Sequence, residues 1–286
     1  MFMKTFLVAS DFSSNARNAA SFAYQLAKLM RADIILCNAV VVPSEVPMAS
    51  AMVWPMEECE NLIEGSLHEL KLLKGSLELG DSSKTFKPAI SCLNDTGTLG
   101  DVIQEIVKNH KIALTIIGTH GSSGLNQFIL GNHSRELINQ TRVPLLLVPS
   151  EGKSTHIRKI AFAADLKNPE QDLDSIYALI EFVRPLEAEI LLTYVCDTDF
   201  ESPEFQHWIQ HFMTQLSNKA NYPHIYYRII RNKQVILGLD WLCLHGQVDM
   251  LAMVHRSKTF MENLFRGSNT QKMAQHIPVP LLVFPG

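Results

Sequence analysis

The residues in this sequence best equipped for chemistry are a group of glycines with small polar neighbours. Gly118-Thr119-His120-Gly121-Ser122-Ser123-Gly124 follows the apolar run Ile112 to Ile117, and Gly131-Asn132-His133-Ser134 opens a helical pattern that reaches about Gln140. Glycine admits positive φ and close approach of the backbone, so successive N–H groups can converge on one anion. A helix N-terminus adds unpaired donors and the positive end of a dipole. Asn132 and Ser134 suit such a start and bring side-chain donors of their own. Glycines alone more often mark a turn that holds nothing, but their place after a strand and before a helix reverses that preference.

The same residues limit the mechanism. No Gly-Lys-Ser/Thr follows the glycines, and the G-x-G-x-x-G spacing of dinucleotide folds is missing. A triphosphate would meet backbone donors, His120, His133 and Arg135, but no lysine, and Asp11 is the one obvious carboxylate for a metal. Phosphoryl transfer needs a charge clamp, bound Mg²⁺ and a group that positions the nucleophile. Binding is therefore better supported than turnover.

Elements that alternate must position these residues. An apolar strand (Phe6 to Ala9) leads to Asp11, a helical pattern spans about Ala16 to Met30, and a strand follows from Ile34 to Val42. Helical spacing returns from Met56 through Leu62, Ile63, Leu70, Leu73 and Leu77. Next come a weaker strand near Phe86 to Ser91, a helix from Thr98 to Asn109, the buried strand Ile112 to Ile117, and a last strand Val143 to Val148. The second half replays this order. Ile160 to Asp165 matches Phe6 to Asp11, Ala188 to Leu192 matches Ala32 to Leu36, and Val279 to Pro285 matches Val143 to Pro149. Pro285 follows Pro149 by fewer residues than Asp165 follows Asp11, so the second copy is shorter through its middle.

The expected fold is α/β: two tandem domains, 1–150 and 156–286, each a five-stranded parallel sheet with helices on both faces, joined by the polar segment 150–155. In such sheets ligands sit beyond the carboxyl ends of the strands, which sets Asp11 and Gly118 along one edge.

The order Gly118, Gly121, Gly131 and then a small polar residue resembles the ATP-binding members of the universal stress protein family. Leu-Val-Ala-Ser-Asp-Phe-Ser at 7–13, Ile-Gly-Thr-His-Gly at 117–121 and Val-Pro-Leu-Leu-Leu-Val at 143–148 carry the resemblance, which covers nearly the whole chain as two family domains. It implies the adenine nucleotide alpha-hydrolase-like fold. It also implies a pocket in which Ala9, Ser10 and Asp11 line the nucleotide, with Ile117 beside them and Ala39 meeting adenine through its backbone. Gly118, His120 and Gly121 would follow the ribose and phosphates, and Gly131, Asn132, His133 and Ser134 would close on the phosphate tail. The family usually has Ser or Thr where Asn132 stands; an amide still donates a hydrogen bond. The function implied is a stress-response protein that binds ATP, with or without Mg²⁺, as a non-enzymatic module or a very slow ATPase. The rivals are a nucleotide-hydrolysing enzyme and an interaction protein whose nucleotide site is vestigial. The resemblance further implies pairing through the last strands as an intramolecular pseudo-dimer, and leaves room for a homodimer.

In the second copy Val254 and Ser257 replace Gly118 and Gly121, and only Gly267-Ser268 survives, so no ATP is expected there. Arg256 and Lys258 read as solvated, and Asp165 as a helix-entry residue. Glu204, His207 and His211 fall on one helical face at a spacing that could hold zinc. A polar flank beside a buried stripe of Phe205, Trp208, Ile209, Phe212 and Leu216 is the stronger reading. No Ser-His-Asp or Cys-His set can be argued from spacing.

Composition closes off several classes. A net charge of −4 and no Lys/Arg-rich run imply neither nucleic acid nor an anionic membrane as partner. Five scattered cysteines without a CxxC pair point to reduced thiols in a cytoplasm, with neither a disulfide framework nor a zinc knuckle. The opening run reaches Asp11 too soon for a signal peptide, and no stretch approaches the length of a membrane span.

Overall fold

The computed structural model describes residues 4–41, 56–119, 137–138, 140, 142–150, 156–164, 173–196, 202–255 and 278–285. The chain divides into two compact units, with the boundary inside the strand Leu145–Val148.

In the first unit the order is β1 (Lys4–Ala9), α1 (Ser14–Met30), β2 (Ala32–Val40), α2 (Met56–Leu79), β3 (Ile90–Thr96), α3 (Leu99–Asn109) and β4 (Ile112–Gly118), and β5 (Leu145–Val148) straddles the boundary. The strands run β3-β2-β1-β4 and all these pairs are parallel. Pro144, at the entrance to β5, accepts from Thr115 N–H at 2.9 Å. The second unit contains β6 (Lys159–Ala163), α4 (Leu173–Val183), a 3-10 turn at Arg184–Leu186, β7 (Glu189–Cys196), α5 (Pro203–Ala220), β8 (Ile225–Arg231), α6 (Val235–His245), β9 (Met250–His255) and β10 (Leu281–Pro285). Its strands run β10-β9-β6-β7-β8, again parallel. The α/β class and parallel sheets thus follow from the alternation of elements and the near-continuous apolar strands.

The repeat holds to the level of single hydrogen bonds. Ala9 lies in register with Cys37 and Ile117, as Ala163 does with Thr193 and Met253. Ser10 N–H donates to Cys37 C=O and Ala164 N–H to Thr193 C=O, both at 2.9 Å; Leu251 N–H donates to Pro280 C=O as Thr115 does to Pro144. Arg31 and Glu187, each at φ 51°, make the same left-handed exit from the first helical segment into the next strand. Much of the second copy's shortening sits in the crossover after β2 and β7, where α2 has 24 residues and α5 has 18.

Three expectations are corrected. β2 starts and ends two residues early, leaving Val41 72% exposed beyond it. The third strand occupies 90–96 and not 86–91. Pro88 has no N–H to give a ladder, and the pairing begins where Ile34 N–H donates to Ala89 C=O. The aromatic stripe on α5 is only partly buried: Ile209 and Leu216 are inside, whereas Phe205, Trp208 and Phe212 are half-exposed and lie against one another at 5.5–5.6 Å. Of the helix expected at 132–140, Leu137 and Ile138 are buried and most of the remainder lies outside the described residues.

What separates the units is how the first helix meets its sheet. The buried face of α1 carries Ala16, Ala19, Ala20, Ala23 and Ala27, all at most 5% exposed. Small side chains let a helix axis lie close to the sheet. On α4 the buried residues are Ile176, Leu179, Ile180 and Val183; counted from Arg31 and Glu187, Ala20, Ala23 and Ala27 are replaced by Ile176, Leu179 and Val183. Each such large side chain contributes roughly 2 kcal/mol by burial, at the cost of a wider spacing. Among the described residues no helix is long and apolar enough to cross a membrane.

Candidate functional site

The carboxyl ends of β1 and β4 bring together five residues expected to line a nucleotide. Ala9 and Ile117 are register partners and both are buried. Ser10 continues β1 and is 5% exposed, Asp11 is exposed one residue further on, and Gly118 ends β4. Ala39, near the end of β2, is half-buried opposite Asp95. His120, Gly121, Gly131, Asn132, His133 and Ser134 lie outside the described residues, as do Asp165, Arg256, Ser257, Lys258 and Gly267-Ser268 of the second copy.

The turn from β1 into α1 is pinned by its own side chains. The Asp11 carboxylate accepts Ser13 N–H at 3.0 Å, and Ser10 Oγ accepts Phe12 N–H at 3.1 Å. Ser13 Oγ then accepts Ala16 N–H at 3.2 Å, capping α1. Phe12 sits at φ 63°, a left-handed conformation that costs a bulky residue energy and persists because these three bonds impose it. Asp11 therefore has a structural duty, with one carboxylate oxygen committed to the turn.

Gly118 is glycine for lack of space. A Cβ there would fall 2.6 Å from the Asn15 carbonyl oxygen, 2.8 Å from its carbon and 3.1 Å from the Ala16 nitrogen. Among the described glycines only Gly97 has positive φ, so the conformational argument for position 118 is replaced by a steric one. The alanine face of α1 continues into this contact, and together they hold the start of the helix against the end of β4. Val254 occupies the equivalent place in β9, one residue after Met253, and is 8% exposed. His255 follows it; burial lowers its pKa, which favours the neutral imidazole.

Three residues behind the strand ends escaped the sequence reading. Asn38 Nδ2 donates to Ser10 C=O at 2.7 Å, and its Oδ1 accepts from Ser66 Oγ at 2.9 Å. Asn94, paired with Asn38 across β2 and β3, donates to Ile63 C=O at 2.6 Å. These bonds fix the Ser10 peptide and tie α2 to β2 and β3. The available signal was an amide in the middle of each strand, where asparagine is disfavoured without a partner. Between them, Cys37 is buried, and desolvation pushes its thiol up to about 12, so it remains an unreactive packing group.

A size exchange distinguishes the next strand ends. Val102 and Gly238 are the fourth residues after the N-caps Thr98 and Gln234, to whose carbonyls their N–H groups donate. In the second unit Gly238 packs under Val195: a Cβ would meet Val195 Cγ1 at 2.6 Å. In the first, the residue in the place of Val195 is Ala39 and the residue in the place of Gly238 is Val102, which is buried. Bulk sits on the helix in one unit and on the strand in the other.

Glu204, His207 and His211 are all exposed on α5, and among the described residues no group of three His, Cys, Asp or Glu could hold a metal ion.

This arrangement has relatives. Two solved structures are similar along nearly their whole length: a universal stress protein from Archaeoglobus fulgidus (14% identity, 98% of each chain, TM-score 0.66) and a functionally unknown protein from Pseudomonas aeruginosa (11% identity, 99% of this chain and 92% of that one, TM-score 0.63). At such identities the likeness is one of fold. A universal stress protein solved in complex with cAMP aligns with 51% of this chain and 96% of its own, at 18% identity and TM-score 0.38, so that ligand is a fact about that protein. Among curated proteins none matches the sequence. The family model described as the universal stress protein family matches residues 3–149. With a match over half its length and the adenine nucleotide alpha-hydrolase-like fold, the chain belongs to the universal stress protein family.

Proposed function

We propose that the first unit, taken as a domain at 1–150, binds an adenine nucleotide, ATP by preference, and that the second, at 156–286, does not. The observation that carries this reading is the contrast at the strand ends. Ala39 in the first unit stands where Val195 stands in the second, and Gly118, whose backbone lies against that of Asn15, stands where the second unit has Val254, while Ala9 and Ala163 are alike. Small residues at the carboxyl edge of a parallel sheet let a ligand approach the backbone. Ala39 would accept adenine against its main chain, with Ser10 and Asp11 beside the ribose and Gly118 leading into the phosphate segment. His120, Gly121, Gly131, Asn132, His133 and Ser134 would meet the phosphates.

The nucleotide is held in this reading and not consumed. Asp11 spends one oxygen on the turn, and the glycine segment contains no lysine to clamp developing charge. A Mg²⁺ would ride with the phosphates more than with the protein. The module then serves a stress response by reporting nucleotide occupancy to whatever it contacts.

Calorimetric titration of the full chain with ATP tests this. Wild type should bind one nucleotide per chain. Ala39→Val, which installs the second unit's side chain, and Gly131→Val should each weaken binding at least about tenfold, or about 1.4 kcal/mol, with circular dichroism confirming that the fold is kept. Absence of binding in the wild type, or unchanged affinity in both variants, overturns the proposal. Steady release of inorganic phosphate lost in Asp11→Ala would make the protein an enzyme instead.

A further inference from the structure

Each unit has one outer edge strand, β3 in the first and β8 in the second, and only the first is closed. Ile34 N–H donates to Ala89 C=O, so the even-numbered residues of β3 turn their amides and carbonyls away from β2. The outward Ile90 carbonyl is covered by α2, whose Lys74 Nζ donates to it at 2.8 Å, and Pro88 has no N–H to present. β8 lacks such cover. Ile190 N–H donates to His224 C=O and Asn232 N–H to Cys196 C=O, so the even-numbered residues bond β7 and Ile225, Tyr227 and Ile229 point N–H and C=O outward. Among the described residues no side chain bonds these groups. Ile-Tyr-Tyr-Arg-Ile-Ile-Arg consists largely of the β-branched and aromatic types that pair well, and an open edge of this composition invites another strand.

The two faces of β8 can be told apart. A Cβ on Gly238 of α6 would meet Ile230 Cγ2 at 3.3 Å, so Tyr226, Arg228 and Ile230 face α6, and Tyr227, Ile229 and Arg231 face the other way. Beside the α6 face lies a cavity of about 710 Å³, where Trp241 and Leu244 are 50% and 54% exposed. On α3 of the first unit these two positions are held by Glu105 and Lys108, ordinary solvent-facing residues.

Charge draws in neither an acidic nor a basic partner. The α6 face of β8 carries one cation, Arg228, and the same groove holds the carboxylate of Asp240. What the edge does match is itself. Antiparallel pairing with a second copy about an axis at Tyr227 lets the two Tyr227 residues exchange main-chain bonds, and Ile225 exchange them with Ile229. Arg228 then stands directly opposite Tyr226 of the second copy, at a position without main-chain bonds where side chains lie closer, and a guanidinium is attracted to an aromatic face. An axis at Arg228 would oppose two like charges, which is destabilising. An axis at Ile229 would set Arg228 against Ile230 and Tyr226 against Asn232.

We propose that this edge joins two copies of the chain, β8 to β8, antiparallel and centred on Tyr227. The two-fold axis is perpendicular to the joined sheet, so both α6 helices stand on one face of it, and Trp241 and Leu244 of each copy border the seam. Main-chain bonds and the exposed tyrosines supply affinity, while the two Arg228–Tyr226 pairs fix the register. This contact is separate from pairing through the last strands, because β8 lies at the opposite end of the second unit's strand order from β10.

Analytical ultracentrifugation of the full chain should show a concentration-dependent association. Tyr227→Pro removes an outward N–H and no bond to β7, and should weaken it about tenfold or more. Tyr226→Lys sets two lysines against two arginines and should weaken it about as much, whereas Tyr226→Glu should leave it intact or tighter. Oxidation should cross-link Tyr227→Cys, whose two copies stand directly opposite, and not Ile229→Cys. An unchanged melting temperature verifies folding, and Tyr226→Lys, at an exposed side chain, decides the matter if proline disturbs the strand. A wild type that stays monomeric overturns the proposal, as does equal association of Tyr226→Lys and Tyr226→Glu. Association that Tyr227→Pro and Tyr226→Lys leave untouched would assign the contact to another face and overturn it too. Cross-linking of Ile229→Cys in place of Tyr227→Cys would move the axis and refute the register.

Discussion

The seam between the first helix and the sheet is built twice in this molecule, by opposite means. Around α1 it is closed with small groups: Ala20, Ala23 and Ala27 on the helix and Gly118 on β4, with backbone nearly touching backbone. Around α4 the same positions hold Ile176, Leu179 and Val183, and Val254 stands on β9. Both seams exclude water, so the core alone does not explain the difference. The first design holds the start of a helix against the end of a strand, where the proposed nucleotide would sit; the second maximises buried area. A unit that holds no nucleotide, as proposed for the second, can take the larger side chains.

The strongest way to break this comparison is to move one residue across it. Gly118→Val should lower stability by about 3 kcal/mol or more, because the clash is with the Asn15 backbone and not with a side chain that can rotate; urea unfolding would read this, and a loss under 1 kcal/mol would refute the steric account. The exchange at the next seam is gentler. Gly238→Val should cost about 2 kcal/mol because its neighbour is the tip of Val195, and adding Val195→Ala should recover most of the loss. Failure of that rescue would mean the two positions do not share one volume.

A smaller effect of opposite sign is expected at Thr115. Its hydroxyl is buried without a partner, whereas the second unit has Leu251 there. Thr115→Val should therefore stabilise by about 1 kcal/mol, seen as a raised denaturation midpoint.

The least effect at neutral pH, and a selective one in acid, concerns how each first helix is tied at its far end. In the first unit Lys28 bonds Asp81 at 2.8 Å and Ser83 at 2.9 Å, and Tyr24 hydroxyl donates to Asp81. The Lys28 ammonium, with Ser83 and Tyr24, holds the Asp81 carboxyl well below the usual carboxylate range, while burial and Asp81 push Tyr24 up to about 12. In the second unit Arg184 donates to the carbonyls of Ala220 and Asn221, lies over the Tyr222 ring and meets a carboxylate only on the exposed Glu181, at 3.1 Å. A depressed carboxyl pKa contributes stability that is present above the unfolded value of about 3.9 and lost as the pH falls below it; carbonyls do not titrate. Hydrogen exchange across that range should show β2 amides losing protection before β7 amides, and Asp81→Asn should flatten the dependence. Equal loss in both units would refute it.

Much of this was legible in the chain. Continuous apolar runs ended by Asp11 and Gly118 located the ends of β1 and β4, because parallel strands buried on both faces read as unbroken apolar runs and a polar residue or glycine marks where these two stop. β3 was misplaced for the converse reason: in Ile-Ser-Cys-Leu-Asn-Asp-Thr only Ile90 is buried, and an edge strand with a polar end carries little periodicity. The reason for a glycine at 118 was not legible, since the atom that forbids a side chain belongs to Asn15, more than a hundred residues away in sequence. The Asn38–Ser66 and Gly238–Val195 partnerships are likewise products of folding, and no local pattern announces them.

The paired differences along the α1 and α4 seams are coupled, so that neither side of a seam can change alone. A glycine at Val254 would open nothing by itself, because Ile176, Leu179 and Val183 would still hold the helix off the sheet; the single change leaves a void and lowers stability. The first unit is trapped from the other side, since one valine at Gly118 is harmful until several alanines have grown. Single residues can therefore not be exchanged between the two units one at a time.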